Sequence, residues 1–374
     1  MLDEQARAVV RPDRERFLAS VAAGSERRAA QGRFERMVRI GLAELRVVTV
    51  DEVTPPVPVQ VGTQVTWDVQ AVFAYRIRDV DRAPRRFALN LSLRSAPDRP
   101  DQVTITSSRP ADRPQPWDFD GLRVRRSAKS LVLGVGTRVD LDEVLRRADR
   151  AGRRVAAVWR PTVPAVWVVP ADAADAARLL GRTGGQLDGV AAATDGPLQE
   201  NSEAGADRIV LIPDVWLSLR PAGRDVVMTH ELTHVAVRAS TFRPVPLWLS
   251  EGFAEYVAYR FVDLPERDVA SALLARVRSA GLPQHLPGAD AFDPGSGTMS
   301  AAYAEAWLAV RELVKARGEA AVVAFYRAAA GTAPGNVADV DPETNTDAAL
   351  RSALQLSRAE LERRWLDHVR SLAS

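Results

Sequence analysis

Residues Val226–Tyr256 read VVMTHELTHVAVRASTFRPVPLWLSEGFAEY. Within them His230, Glu231 and His234 form an H-E-x-x-H pattern, and Glu251 follows on what the pattern predicts to be the next helix. Residues four apart share a helix face, because four residues advance the chain by about one turn. The imidazoles of His230 and His234 can therefore reach one metal ion. Glu231, directly after the first histidine, projects beside that ion, where a carboxylate can take a proton from water. Two histidines and one carboxylate leave a zinc position open, the arrangement of a catalytic site rather than a closed structural one.

The flanking residues Val226, Val227, Met228, Val235, Ala236 and Val237 are apolar or small, so the helix is predicted to be buried. Two histidines and a carboxylate in a buried helix are costly unless they share a partner. The chain has 4 histidines in all, and two of them are these. That favours a metal site over a surface helix with incidental histidines. The helix is expected to begin at Arg224 and Asp225, and Pro244 to Pro246 end the connection to a second helix, Leu247–Phe261. The segment between His234 and Glu251 is long enough for the first helix to end, turn and bring the second back antiparallel.

H-E-L-T-H followed by W-L-S-E-G-F-A-E-Y resembles the gluzincin metallopeptidases, most of all the bacterial group with a peptidase MA-like domain. The resemblance runs from about Val155 to the C-terminus and is carried by the quoted stretch. It implies a zinc-dependent peptide hydrolase acting on a peptide or protein, with Zn2+ as cofactor. Glu251 would be the third ligand and Glu231 the general base. Glu255, one turn beyond Glu251, would accept the N–H of a ligating histidine and fix its tautomer. Tyr303, at the head of the predicted helix Ala302–Ala316, would donate to the developing oxyanion. Tyr256 is the weaker candidate for that role and is expected to pack on the ligand helix. The strand Asp207–Ile212 would be the sheet edge that pairs with an extended substrate. The reading from another class is a zinc-stabilised binding protein of the cell envelope whose peptidase half no longer turns over.

Composition is that of a globular protein, and 374 residues suit two domains. The net charge of +2 is small and the basic residues form no long run, so nucleic acid and polybasic membrane contacts are not expected. The absence of cysteine excludes disulfides, thiolate zinc sites and cysteine nucleophiles. The N-terminal residues MLDEQARAVVRPDRERF have no apolar centre and do not read as a signal peptide, and no apolar run is long enough to span a bilayer. Relatives by resemblance are often exported or anchored by an upstream segment, so an exported or cell-envelope location is the expectation; if the chain starts late, that segment has been lost.

The fold class expected is α+β. Residues 1–133 are read as a helix-plus-antiparallel-sheet domain resembling the NTF2-like or cystatin-like fold. Residues 134–374 are read as the gluzincin-type domain, mostly helical towards its end. Residues 3–44 predict two helices broken near Ala23–Ser25, with Ser25 as N-cap. Alternation then predicts strands in Thr66–Arg78, Phe87–Arg94, Val103–Ser107 and Arg123–Leu133, with the Pro-rich loop Arg109–Pro116 before the last. Asp118 and Asp120 read as turn residues. Gly134-Val135-Gly136 lacks the third glycine of a phosphate loop and reads as a flexible joint. Beyond it come a helix in Leu141–Ala151, strands in Val155–Trp159 and Ala165–Val169, a helix in Ala171–Leu180 and a Gly-rich loop, Gly181–Gly189. Helices in Glu319–Ala330, Thr346–Leu356 and Ser357–Leu372 complete the chain, with Trp307, Phe325, Leu361 and Trp365 as core. His285 and His368 lack ligand spacing and are expected at the surface.

Overall fold

Helical spacing and strand alternation become two sheets and a helical C-terminal half in the computed structural model, which describes residues 1–53, 59–61, 64–96, 98–196, 205–333 and 341–374. The chain opens with α1 (Leu2–Val10), α2 (Arg14–Leu18) and α3 (Ser25–Ile40). A third helix appears because Asp13 caps a short one of its own, accepting the Arg16 N–H at 3.0 Å. The cap of α3 is Gly24 rather than Ser25, at a φ of 92° that suits glycine.

The first sheet contains β1 (Leu42–Glu52), β2 (Val59–Val61), β3 (Gln64–Ile77), β4 (Arg85–Ala96) and β5 (Arg99–Pro110). Among the described residues its order is β1-β3-β4-β5, antiparallel throughout, with β2 also on β3. Val69 stands opposite Leu91 and Phe73 opposite Phe87. Val69, Leu91 and Phe73 share a core with Ala30, Phe34, Met37 and Ile40 of α3. β1 had no counterpart among the expected strands, since Glu44, Arg46, Asp51 and Glu52 interrupt its apolar alternation.

The second sheet contains β6 (Arg123–Arg126), β7 (Ser130–Gly134), β8 (Ala165–Val169), β9 (Ala192–Asp195) and β10 (Arg208–Leu211), in the order β6-β7-β8-β10-β9. β7, β8 and β10 are parallel, and β6 and β9 run antiparallel at the two edges. Arg123–Leu133 was expected to extend the first sheet, but a turn at Ser127 splits it into two strands of the second. The expected flexible joint at Gly134–Gly136 is instead a packed strand end. Val135 N–H donates to the Val169 carbonyl at 3.0 Å, and a Cβ on Gly134 would collide with Leu141.

This sheet is buried on both faces, as parallel strands require. Along β8, Ala165, Trp167 and Val169 join the core under the helices, while Val166 and Val168 join the core of the first sheet. The two cores therefore meet across one sheet.

Between β7 and β8 runs α4 (Leu141–Val158), whose buried Leu141, Val144, Ala148, Ala151 and Val155 recur at three and four. The strand expected at Val155–Trp159 is thus the last turn of this helix. The remaining helices are α5 (Ala173–Leu180), α6 (Pro213–Ser218), α7 (Pro221–Arg238), α8 (Leu247–Tyr259), α9 (Glu266–Val269), α10 (Ser271–Ala280), α11 (Met299–Arg317), α12 (Glu319–Ala330), α13 (Pro342–Leu354) and α14 (Arg358–Ala373). α8 packs against both α7 and α11. Trp307, Phe325, Leu361 and Trp365 are buried as expected. His285 is exposed, but His368 is not a surface residue: docking of α14 seats it between Glu266 and Glu312. No helix among the described residues is long and apolar enough to cross a membrane.

Candidate metal centre

α7 begins at Pro221, whose fixed φ suits a first helical position, and its buried residues include Val226, Met228, Leu232, Val235 and Val237. Its N-terminal part is tied to α4 through Asp225, which Arg147 and Arg150 both engage, the latter at 2.7 Å. On this anchored helix His230 and Glu231 are buried and His234 half-buried.

Three ligand-type atoms converge. His230 Nε2 lies 3.0 Å from His234 Nε2, and each lies 3.2 Å from Oε2 of Glu251 on α8. Among the described residues this is the only group of three or more His, Cys, Asp or Glu side chains close enough to share a metal ion. Zinc bonds of about 2.0–2.1 Å at tetrahedral angles would set neighbouring ligand atoms about 3.3 Å apart. The donor set and its spacing fit zinc.

Two acidic neighbours frame the group. His230 Nδ1 stands 3.0 Å from Oε1 of Glu255, without the alignment of an ideal hydrogen bond. Glu231 Oε2 accepts from Thr194 Oγ1 at 2.6 Å. Burial disfavours the His230 imidazolium, but hydrogen bonds and charge from Glu251 and Glu255 outweigh it and raise its pKa. Burial would likewise raise the Glu251 carboxyl, but His234 and His230 hold it well below the usual carboxylate range. These shifts belong to the side chains without a cation; a cation bound between them would require both histidines neutral.

Tyr303, in the first turn and a half of α11, faces the same space. Its ring centre lies 5.9 Å from that of His230, and its hydroxyl reaches Glu251. Burial, reinforced by Glu251, Glu231 and Glu255, raises its pKa far above the ordinary tyrosine value. Tyr256 points elsewhere, donating to Glu319 Oε2 on α12 at 2.7 Å. A cavity of about 730 Å³ opens over the group, with Arg182, Ala192, Thr194, Phe292, Met299 and Tyr303 in its wall.

β10, at the expected position Asp207–Ile212, is paired on both sides, by β8 and β9, and has no open edge. The edge beside the cavity is β9, whose four residues gave no strand signal of their own. Thr194 was missed for the same reason: no spacing links it to Glu231, which lies 37 residues further on.

No family model matches the chain, and no curated protein matches it. Among solved structures it is similar to a point mutant of an M1 zinc metallopeptidase from Deinococcus radiodurans bound to a Tyr-Ser-Ala substrate. The identity is 14%, the match covers 86% of this chain and 94% of that one, and the TM-score is 0.39.

Proposed function

We propose that this chain is a zinc-dependent peptide hydrolase in which His230, His234 and Glu251 hold the metal and Glu231 is the general base. The observation that carries the reading is the convergence of His230 Nε2, His234 Nε2 and Glu251 Oε2 at 3.0–3.2 Å, beneath an open cavity. When bound, zinc supplies Lewis acidity towards a substrate carbonyl and lowers the pKa of water. Glu231 takes the proton from the attacking water and delivers it to the leaving amine. Tyr303, protonated through the neutral range, donates its O–H to the oxygen on which negative charge develops. Glu255 holds His230 in orientation through its second ring nitrogen. Among the described residues β9 has no partner strand on its outer side, where its backbone groups would pair with an extended peptide, which suits a peptide or protein substrate.

In this reading α1–α3 and the first sheet form an NTF2-like or cystatin-like unit whose core is shared with one face of the second sheet. Its boundary is drawn ahead of Arg123 rather than after residue 133, because β6 and β7 pair within the second sheet.

The test is zinc per chain in purified protein, together with digestion of a peptide library. About one zinc, lost in His230→Ala, with cleavage that stops on chelation, is the expected result. Glu231→Gln should keep the metal and lose most turnover. Absence of zinc after its addition at neutral pH would sink the proposal.

A further inference from the structure

Alternation along β9 sends two adjacent side chains to opposite faces of the second sheet. Thr194 faces α7 and places Oγ1 2.6 Å from Glu231 Oε2 and 3.4 Å from the Glu231 carbonyl oxygen. A hydroxyl has one proton to donate, and the shorter contact takes it. Asp195 faces the other way, towards the part of the chain that precedes the second sheet. Its carboxylate accepts from Arg85 of β4 and, at 2.9 Å, from Arg113 of the loop after β5. Arg85 is 6% exposed. Its Nη1 also donates to the carbonyls of Asp195 at 3.3 Å and Ala206 at 3.2 Å, so it joins the ends of β9 and β10.

We propose that Thr194 is the positioning residue for Glu231, and that Arg85 and Arg113, through Asp195, set the position of the strand carrying it. This rests on the reading of Glu231 as general base. That base needs one carboxylate oxygen aimed at water, on a side chain with three rotatable bonds. The Thr194 hydroxyl holds Oε2 and leaves Oε1 to take the proton. Thr194 can do this only if β9 keeps its distance from α7, and among the described residues β9 is an edge strand with a partner on one side alone. The grip on Asp195 supplies the missing restraint. The N-terminal part of the chain thereby becomes a component of the active site, acting without touching substrate. A misplacement of about 1 Å at a reacting group can cost on the order of 100-fold in rate.

The experiment compares Thr194→Val, Thr194→Ser, Arg113→Gln and the double variant Thr194→Val/Arg113→Gln in the full chain. Glu231→Gln serves as reference, and zinc affinity is measured for each. Thr194→Val is expected to lower kcat on the order of 10- to 100-fold, with KM and zinc affinity held within about twofold, and Thr194→Ser to restore most of it. Arg113→Gln is expected to lower kcat in the wild-type background and to add nothing in the Thr194→Val background. Two readouts need no substrate. A crystal structure of Thr194→Val should show Glu231 in a second rotamer, and Arg113→Gln should raise amide hydrogen exchange in Ala192–Asp195. Wild-type kcat in Thr194→Val, or a single unchanged Glu231 rotamer, would overturn the role of Thr194. Additive losses in the double variant, or unchanged exchange in β9, would overturn the link to Arg113. Turnover retained in Glu231→Gln would overturn the general-base reading itself, and Thr194's role with it.

Discussion

Gly252 of α8 sits against the carbonyl of Ala306 of α11 with no room for a β-carbon between them. Gly252 directly follows Glu251, so the closeness of these two helices helps set where the carboxylate lies relative to α7. The obstacle is backbone, which cannot rotate away as a side-chain tip can. Gly252→Ala is expected to push α8 outward and cost about 1–3 kcal/mol, as overpacking does. It should also weaken zinc binding, because Glu251 moves relative to His230 and His234. Thermal unfolding with and without zinc checks both, and a variant matching wild type in melting temperature and in zinc shift would refute the account.

Glu255 lies one turn beyond Glu251, and its Oε1 is 3.0 Å from the ring nitrogen of His230 that faces away from His234 and Glu251. Glu255→Ala removes the carboxylate that faces that nitrogen and leaves the ring free to turn. A loss of about 10- to 100-fold in zinc affinity is expected, the usual effect of removing such a partner. A competition titration with a chelator measures it. Unchanged affinity would return Glu255 to the role of an ordinary helix residue.

The helices that carry the candidate ligands were legible because their information is local. The i and i+4 spacing of His230 and His234 and the apolar flanks of α7 need no tertiary context, nor does the one-turn step from Glu251 to Glu255. The antiparallel strands β3 and β4 were legible for the same reason, since alternation marks a half-buried strand wherever it pairs. Sheet membership was not. Arg123–Leu133 has the same alternation whether it extends the first sheet or opens the second, and only pairing with β8 decides. In Val155–Val158 an apolar run fits strand or helix equally, and the preceding turns of α4 settle it. His368 looked exposed because its partners, Glu266 and Glu312, lie far back in the chain.

Tyr303 is held protonated by burial and by the surrounding carboxylates, so its hydroxyl is a donor throughout the neutral range. Tyr303→Phe keeps the ring against Phe292 and His230 and removes only that donor. A fall in kcat on the order of 100- to 1,000-fold is expected, as for other oxyanion donors, with zinc affinity little changed. The loss should be constant across the neutral range, because the hydroxyl does not ionise there. Peptide turnover near the wild-type rate would remove Tyr303 from the mechanism.

The ion pairs of Asp195 make stability depend on pH in acid. Burial would raise its carboxyl, but Arg85 and Arg113 outweigh that and hold its pKa below the usual value. An acid whose folded pKa is depressed adds stability that is full above its unfolded pKa, about 3.9, and is lost as pH falls through the folded value. Asp195→Asn cannot titrate there and leaves two arginines poorly paired. Breaking one partner out of a buried ion pair costs about 3–5 kcal/mol. At neutral pH the variant should therefore be less stable by up to that amount, and the gap should narrow once the pH drops below about 4. Urea unfolding of both proteins over a pH series reads the gap directly. A variant as stable as wild type at neutral pH, or a gap that stays constant into acid, would show that the arginines do not stabilise the carboxylate, and would undercut their hold on β9.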